Sequence, residues 1–237
     1  MEDIWYAYKG KPYNGTLPKF YDENQFEWTN LINENYPTIR KEIEQYIQKE
    51  TNLFQPYFNS TLVEKLKSWK TSNFLFWSKK VEQNCSKIPE TFKLFQQIPG
   101  LTTMGISVLD AGAHIKPHYG DTNAIIRCHM GLHIPASAPV TALKVEEEVR
   151  GWEEGELMMF CDAWKHEAWN NADKPRYVLI FDIIHPDYIS QKRKLCANVR
   201  SWLDLQKVYE KRPFIRKSPA LVKIFLRQCL RLKYIFG

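Results

Sequence analysis

All six histidines of this 237-residue chain fall between positions 114 and 185. Two of them have the setting of metal ligands. His118 closes one short apolar run beside Gly120, and His166 opens another 48 residues later, after a turn containing Asp162. Two neutral imidazole nitrogens suit Fe(II), Zn(II), Ni(II) or Cu(II), and oxygen chemistry at Fe(II) usually adds one carboxylate while leaving other positions open. Two cations accompany them. In AIIRCHMGLHI, strand alternation places Arg127, His129 and Gly131 on one face with Ile125 and His133. Arg176 opens the apolar run RYVLIFDII. A buried guanidinium needs an anion, because an unpaired buried charge is costly. Two inward arginines beside a two-histidine metal site suggest a small dianionic ligand, one carboxylate per cation. The plainer readings stay open at this point: a buried histidine as a hydrogen-bonded core residue, and each arginine paired with an internal acid such as Asp182 or Glu154.

The elements that must carry these residues are legible in outline. From Leu101 to Ile184, short apolar runs alternate with turn signals such as Asp-Ala-Gly, Tyr-Gly-Asp and Pro-Ala-Ser-Ala-Pro, and several runs have period two. That spacing predicts an antiparallel sandwich or barrel. Before it, residues 1–20 read as an extended aromatic lead-in. Helical spacing starts near Asp22 and is broken at Asn35-Tyr36-Pro37, residues 51–82 are ambiguous, and a short helix covers Glu90 to Gln97. After the barrel, helical patterns return over Val199–Glu210 and Pro219–Phe236. The organisation expected is 1–100 as a helical part packing on the barrel, 101–188 as the core and 189–237 as a basic helical extension, one compact domain overall.

The runs GAHIKPHYGDTNAIIRCHMGLHIP and GWEEGELMMFCDAWKHEAWNNADKPRYVLIFDIIHPDY resemble the aspartyl/asparaginyl β-hydroxylase family. The signals are an H-x-G-x-T-N segment, R-x-H-x-G-L, W-E-E-G, H-E-x-W and an arginine ten residues after the second histidine. The resemblance is close over about 105–188, weak over FYDENQFEWTNLINENYPTIRKEI, and does not reach 200–237. It implies a double-stranded β-helix (jelly roll, cupin-like) and a dioxygenase that uses Fe(II), 2-oxoglutarate and O2 to hydroxylate an unactivated C–H bond. Carried over to this chain, His118 and His166 would be the catalytic iron ligands, with Gly120 standing where most such oxygenases place a carboxylate. Asp121, one residue further, would point away from the metal. Arg176 with Ser107 would bind the distal carboxylate of 2-oxoglutarate, and Arg127 with His129 the metal-chelating end. Asp162 would orient His166 or cap a turn. Trp152, Trp164 and Trp169 could wall the cavity or simply pack in the core. Gly120 with Thr122-Asn123 favours an Asp/Asn-type amino-acid or peptide substrate, with a lipid acyl chain as the alternative, and a non-catalytic anion-binding barrel as a third reading.

Composition and charge bound the rest. With 44% hydrophobic and 14% aromatic residues, the chain is neither collagen-like nor low-complexity, and no apolar run is long enough for a membrane span. Five cysteines at 85, 128, 161, 196 and 229 fit no zinc motif or disulfide framework, so inert buried thiols in a reducing compartment are expected. The start MEDIWYAYKGKPYNG does not read as a secretory signal. The formal charge of +6 hides an asymmetry: residues 191–237 hold 13 basic and 2 acidic residues, a net of +11, leaving −5 on the body. In PALVKIFLRQCLRLKYIF, Lys223, Arg227 and Arg231 form one helical stripe among apolar residues. Either a membrane-surface helix or a helix with its basic stripe in water fits. Hence the expectation of a cytoplasmic protein with peripheral contact, through 217–237, at the inner face of a membrane. No nucleic-acid motif accompanies the charge.

Overall fold

In a computed structural model that describes residues 2–49 and 53–236, the period-two runs become two antiparallel sheets. Met1, Glu50, Thr51, Asn52 and Gly237, which fall within ranges read above, lie outside the described residues. The strands are β1 (Phe20–Tyr21), β2 (Gln55–Pro56), β3 (Trp69–Phe76), β4 (Lys79–Lys80), β5 (Leu101–Leu109), β6 (Ala113–His118), β7 (Ile125–His133), β8 (Thr141–Val145), β9 (Glu148–Arg150), β10 (Leu157–Phe160), β11 (His166–Asn170) and β12 (Arg176–Ile184). The large sheet runs β1-β10-β7-β12-β5-β3-β2, with β4 on β3, and the small one runs β6-β11-β8-β9. This is the expected double-stranded β-helix with flanking helices.

Alternation assigns the two faces of the large sheet. Ile126, Cys128, Met130 and Leu132 of β7, with Leu179, Phe181 and Ile183 of β12, pack outward against Ile32 of α1 (Trp28–Glu34), Ile39 and Ile43 of α2 (Tyr36–Lys49), and Phe92 and Phe95 of α4 (Pro89–Phe95, which follows the short α3, Glu82–Cys85). Their neighbours in sequence face the small sheet. There Leu109, Met158, Phe160 and Val178 meet Ala113, Ile115, Leu143, Val145 and Ala168. The strands therefore bury both faces, and the polar groups among the inward residues stand out by contrast.

The chain forms two compact units, Met1–His185 and Pro186–Gly237, where the sequence suggested one compact domain. The first 100 residues are also more than a helical part: they supply β1 to β4. β3 arose in the stretch that read ambiguously. Its inward residues Trp69, Thr71 and Asn73 are amphipathic or polar, and its register shifts between Asn73 and Leu75, so neither period is clean. The second unit holds α5 (Lys192–Lys211), α6 (Pro213–Arg216) and α7 (Ala220–Phe236). Four cysteines are buried as expected, but Cys229 on α7 is exposed.

Candidate active site

A bulge creates the centre of the site. On β6, Ala113 and Ile115 point inward, so strict alternation would turn His118 outward. β11 pairs Ala168 with Ile115 but His166 with His118, a register shift of one residue. The shift turns His118 to the inner face, opposite His166, with ring centroids 4.2 Å apart. Each ring is then fixed by its own backbone: Nδ1 of His118 lies 2.8 Å from the Lys116 carbonyl and Nδ1 of His166 lies 2.8 Å from the Trp164 carbonyl. A carbonyl only accepts, so both Nδ1 atoms carry the proton and both Nε2 atoms keep a free lone pair. Burial pushes the pKa of His118 down to about 3, helped by the neighbouring His166, and burial pushes that of His166 down to about 4. Two neutral, backbone-anchored imidazoles are what a divalent transition metal needs from histidine.

Asp162 sits on the ligand side of this pair rather than behind it. Its Oδ1 is 3.5 Å from Nε2 of His166, so it does not fix the ring as expected; the Trp164 carbonyl does. Its Oδ2 is buried with no partner among the described residues. The same carboxylate explains Gly120: a Cβ there would stand 1.6 Å from Oδ2 and 2.6 Å from the Asp162 carbonyl. Among the described residues no cluster of three His, Cys, Asp or Glu groups forms a metal site. The donor set that fits a metal is therefore the histidine pair, with an orphaned carboxylate oxygen beside it.

The inward arginines differ. Arg127 is bidentate to Asp182, Nε to Oδ1 at 2.8 Å and Nη2 to Oδ2 at 3.1 Å, and its Nη1 donates to Asp162 Oδ1. Burial pulls against its charge, but Asp162 and Asp182 together hold its pKa above the ordinary value. The internal acid named as an alternative from the sequence thus meets this charge, and an outside anion is not required by it. Arg176 is 1% exposed, has no carboxylate partner among the described residues, and has a buried unpartnered Nε. Burial alone depresses its pKa to about 9. It rests 4.5 Å above the Trp152 ring.

Trp152 links Arg176 to His129. Its indole N–H donates to Nδ1 of His129 at 3.2 Å. An indole N–H cannot accept, so the His129 proton sits on Nε2, which is a buried donor without a partner. Burial, with Arg176 and Arg127 nearby, keeps His129 neutral. Gly131 makes room for this contact: a Cβ there would meet the Glu153 carbonyl at 2.1 Å, so the W-E-E-G turn presses on β7 only because glycine is present. Ser107, 3% exposed, faces the same interior and accepts from the Trp69 indole at 3.0 Å. The inner face thus presents two orphaned donors, His129 Nε2 and Arg176 Nε, beside the histidine pair.

Several expectations change. The Trp164 indole donates to the Leu17 carbonyl and the Trp169 indole to the Pro139 carbonyl, so of the three tryptophans Trp152 is the one whose ring hydrogen-bonds these polar residues. Trp69 and Tyr57, which stack at 3.7 Å, were missed because their stretch lacked a readable period. Asp121 is half-buried, and burial, with the Asp162 charge, raises its carboxyl to about 7. Thr122 and Asn123 are fully buried by the N-terminal segment. Thr122 donates to the Trp5 carbonyl at 2.7 Å, and Asn123 accepts from Trp5 N at 2.8 Å and donates to the Asp3 carbonyl at 3.1 Å. The pair fastens residues 3–7 to the loop after His118 and is not available to a substrate. A cavity of about 250 Å³ lies on the helix-facing side of the large sheet, among Ile43, Ile47, Leu132, His133 and Tyr177, and neither His118 nor His166 lines it.

The fold and these side chains define a double-stranded β-helix protein with two neutral histidines facing each other on the inner face and, on the same face, an arginine without a carboxylate partner among the described residues. The chain belongs to the aspartyl/asparaginyl β-hydroxylase family, whose sequence model matches residues 33–186. An ornithine lipid ester-linked acyl 2-hydroxylase of Rhizobium tropici is 38% identical over 174 residues, 71% of this chain and 61% of that protein. The human aspartyl/asparaginyl β-hydroxylase is 31% identical over 175 residues, 71% of this chain and 22% of that protein. The chain thus spans less than two thirds of either relative. A 2OG-Fe(II) oxygenase-family oxidoreductase from Burkholderia pseudomallei superposes with a TM-score of 0.45 at 10% identity, over 72% of this chain and 97% of that one, a likeness that carries no functional argument.

Proposed function

We propose that this chain is an Fe(II)- and 2-oxoglutarate-dependent dioxygenase that hydroxylates an unactivated C–H bond in the acyl chain of a lipid. The observation that carries the chemistry is the uncompensated Arg176 beside two neutral imidazoles. Arg176, with Ser107 on the neighbouring strand, would receive the distal carboxylate of 2-oxoglutarate. His129 would donate its Nε2 proton to an oxygen of the chelating end, with Arg127 behind it. His118 and His166 would hold the iron through Nε2. Bound there, the iron with 2-oxoglutarate and O2 supplies the oxidising chemistry for C–H hydroxylation. The chain's own residues orient the cosubstrate, keep both ligand imidazoles deprotonated and line the interior with Phe160, Val178 and Trp152, which exclude water.

The acyl substrate is favoured over an Asp or Asn side chain on two grounds. The Rhizobium relative that acts on a lipid acyl chain has the higher identity of the two described. The Thr122-Asn123 pair, which favoured a peptide from the sequence, is occupied by the N-terminal segment.

The test is succinate formation by the purified protein with Fe(II), 2-oxoglutarate and either ester-linked acyl lipids or Asp/Asn peptides. The expected result is turnover with a lipid product that has gained one oxygen atom. His118→Ala and His166→Ala should each abolish Fe(II) binding and turnover. Oxygen incorporation into the peptide alone would replace the substrate assignment. Retained Fe(II) affinity in both variants, or dicarboxylate binding without any turnover, would leave a non-catalytic anion-binding barrel.

A further inference from the structure

In the second unit, two cations of α7 turn toward α5 rather than toward solvent. On α7, Lys223, Leu226, Arg227, Leu230, Arg231, Tyr234 and Ile235 are the partly covered positions. Arg231 donates from Nε to Asn198 Oδ1 at 2.6 Å, the Tyr234 hydroxyl donates to Asp204, and the Arg227 guanidinium lies 6.0 Å from the Trp202 ring, all on α5. Arg227 and Arg231 therefore lie on the face that packs on α5, with the half-covered Lys223 on the same stripe. The opposite face carries Leu221 at 79% exposure, Phe225 at 67% and Phe236 at 78%, with Ile224 and Leu232 between them. Only Gln228 interrupts this stripe. Phe214 of α6 is exposed as well. Lys211, Arg212, Arg216, Lys217 and Lys233 are exposed too, and no acid occurs in 211–237.

We propose that α6 and α7 form a membrane-docking surface, with the Leu221–Phe225–Leu232–Phe236 face lying among the acyl chains of a bilayer and the exposed cations meeting anionic headgroups. The helix is about 25 Å long at 1.5 Å per residue. It suits a helix that lies in the interface plane rather than one that crosses it, and no helix among the described residues is long and apolar enough to cross. Charge argues against the other occupants. A second copy would bring two strongly cationic tails together with no acid in 211–237 to answer them. A nucleic acid would match the cations and leave the apolar stripe uncovered. The inference does not depend on the hydroxylase reading.

The experiment is co-sedimentation of the full chain with phosphatidylcholine vesicles, with and without phosphatidylglycerol, at low and high salt. The intact protein should pellet with the anionic vesicles and partly resist salt. The double variant Leu221→Glu, Phe225→Glu should lose at least tenfold in partitioning at both salts. The quadruple variant K211Q, R212Q, R216Q, K217Q should lose binding mainly at low salt, where attraction is least screened. These positions are exposed, so unchanged circular dichroism and unchanged 2-oxoglutarate binding would show that the fold and the barrel are intact. Intact protein left in the supernatant at low salt overturns the proposal. So does pelleting unaffected by the apolar double variant, or a dimer in sedimentation equilibrium that the double variant dissociates.

Discussion

The two ends of the inward face formed by β7 and β12 hold one arginine each, Arg127 half-buried and Arg176 buried, and among the described residues only Arg127 has a counter-charge. Arg127 is clasped by Asp182 and Asp162, which are themselves 1% and 0% exposed. Arg176 has no carboxylate partner among the described residues and rests on the face of Trp152. A closed ion-pair network is a structural element, because each charge is needed by the others. A desolvated cation with no partner is unfavourable as it stands, and becomes favourable when an anion arrives. On the proposed function, the difference separates a charge that holds the fold from one that awaits a ligand, although both look alike in the sequence.

The sharpest way to break the comparison is to replace both arginines by methionine. Arg127→Met leaves two carboxylates buried without a cation and should destabilise the protein by about 3–5 kcal/mol. Arg176→Met removes an uncompensated charge and should leave the melting temperature of the ligand-free protein unchanged or higher. The same variant should weaken 2-oxoglutarate by about 2 kcal/mol or more, roughly thirtyfold, because the distal carboxylate loses its only cation. Thermal melts with and without 2-oxoglutarate read both effects. A ligand-induced shift in the wild type that survives in Arg176→Met, or a fold lost in Arg176→Met and kept in Arg127→Met, would reverse the roles assigned here.

The difference also shows what the sequence could carry. Barrel class, helix positions around Pro37 and Pro89, and the inward set Arg127–His129–Gly131 follow from period and turn chemistry alone, which are local. His118 facing inward did not follow, because a single bulge against β11 resets the alternation that Ala113 and Ile115 establish. Nor did the satisfaction of Arg127, which depends on Asp182 lying opposite it in register on β12. Thr122 and Asn123 pointed to a substrate class by resemblance, yet their partners lie about 120 positions away in the N-terminal segment. In α7 the helical stripe was legible but its direction was not, since a cationic stripe and an apolar stripe on one helix exchange places according to what α5 offers.

Gly120 tests the Arg127 end at a smaller scale. A glycine at this position invites the idea that a carboxylate placed there would complete the iron site. The geometry opposes it, because any Cβ at 120 enters the space of the Asp162 carboxylate that Arg127 holds in place. Gly120→Ala should cost about 1–3 kcal/mol in stability, the usual range for overpacking. Gly120→Asp should weaken Fe(II) rather than strengthen it. Metal titration of both variants decides the matter; tighter Fe(II) binding by Gly120→Asp would mean that the Asp162 carboxylate moves aside easily.

The pH-dependent effect belongs to Asp121, at the margin of the same acidic cluster. Burial first, and then the Asp162 charge, raise its carboxyl to about 7 in the folded chain, against about 4 when unfolded. A carboxyl whose folded pKa is raised binds its proton more tightly in the native state. Its contribution to stability is fully present below the unfolded value and is lost as pH climbs through about 7. Asp121→Asn keeps the shape and cannot ionise. The variant should therefore gain stability relative to the wild type as pH rises from 5, the gain growing steadily and levelling off just above pH 7. Arg176 and its surroundings stay out of this titration, since Asp162, Arg127 and Asp182 are the charged neighbours that act on Asp121. Urea melts of both proteins at pH 5, 6, 7 and 8 measure the difference directly. A difference that stays flat across that range would show that Asp121 is already ionised at pH 5, and that the acidic end of the site is more open to water than its burial indicates.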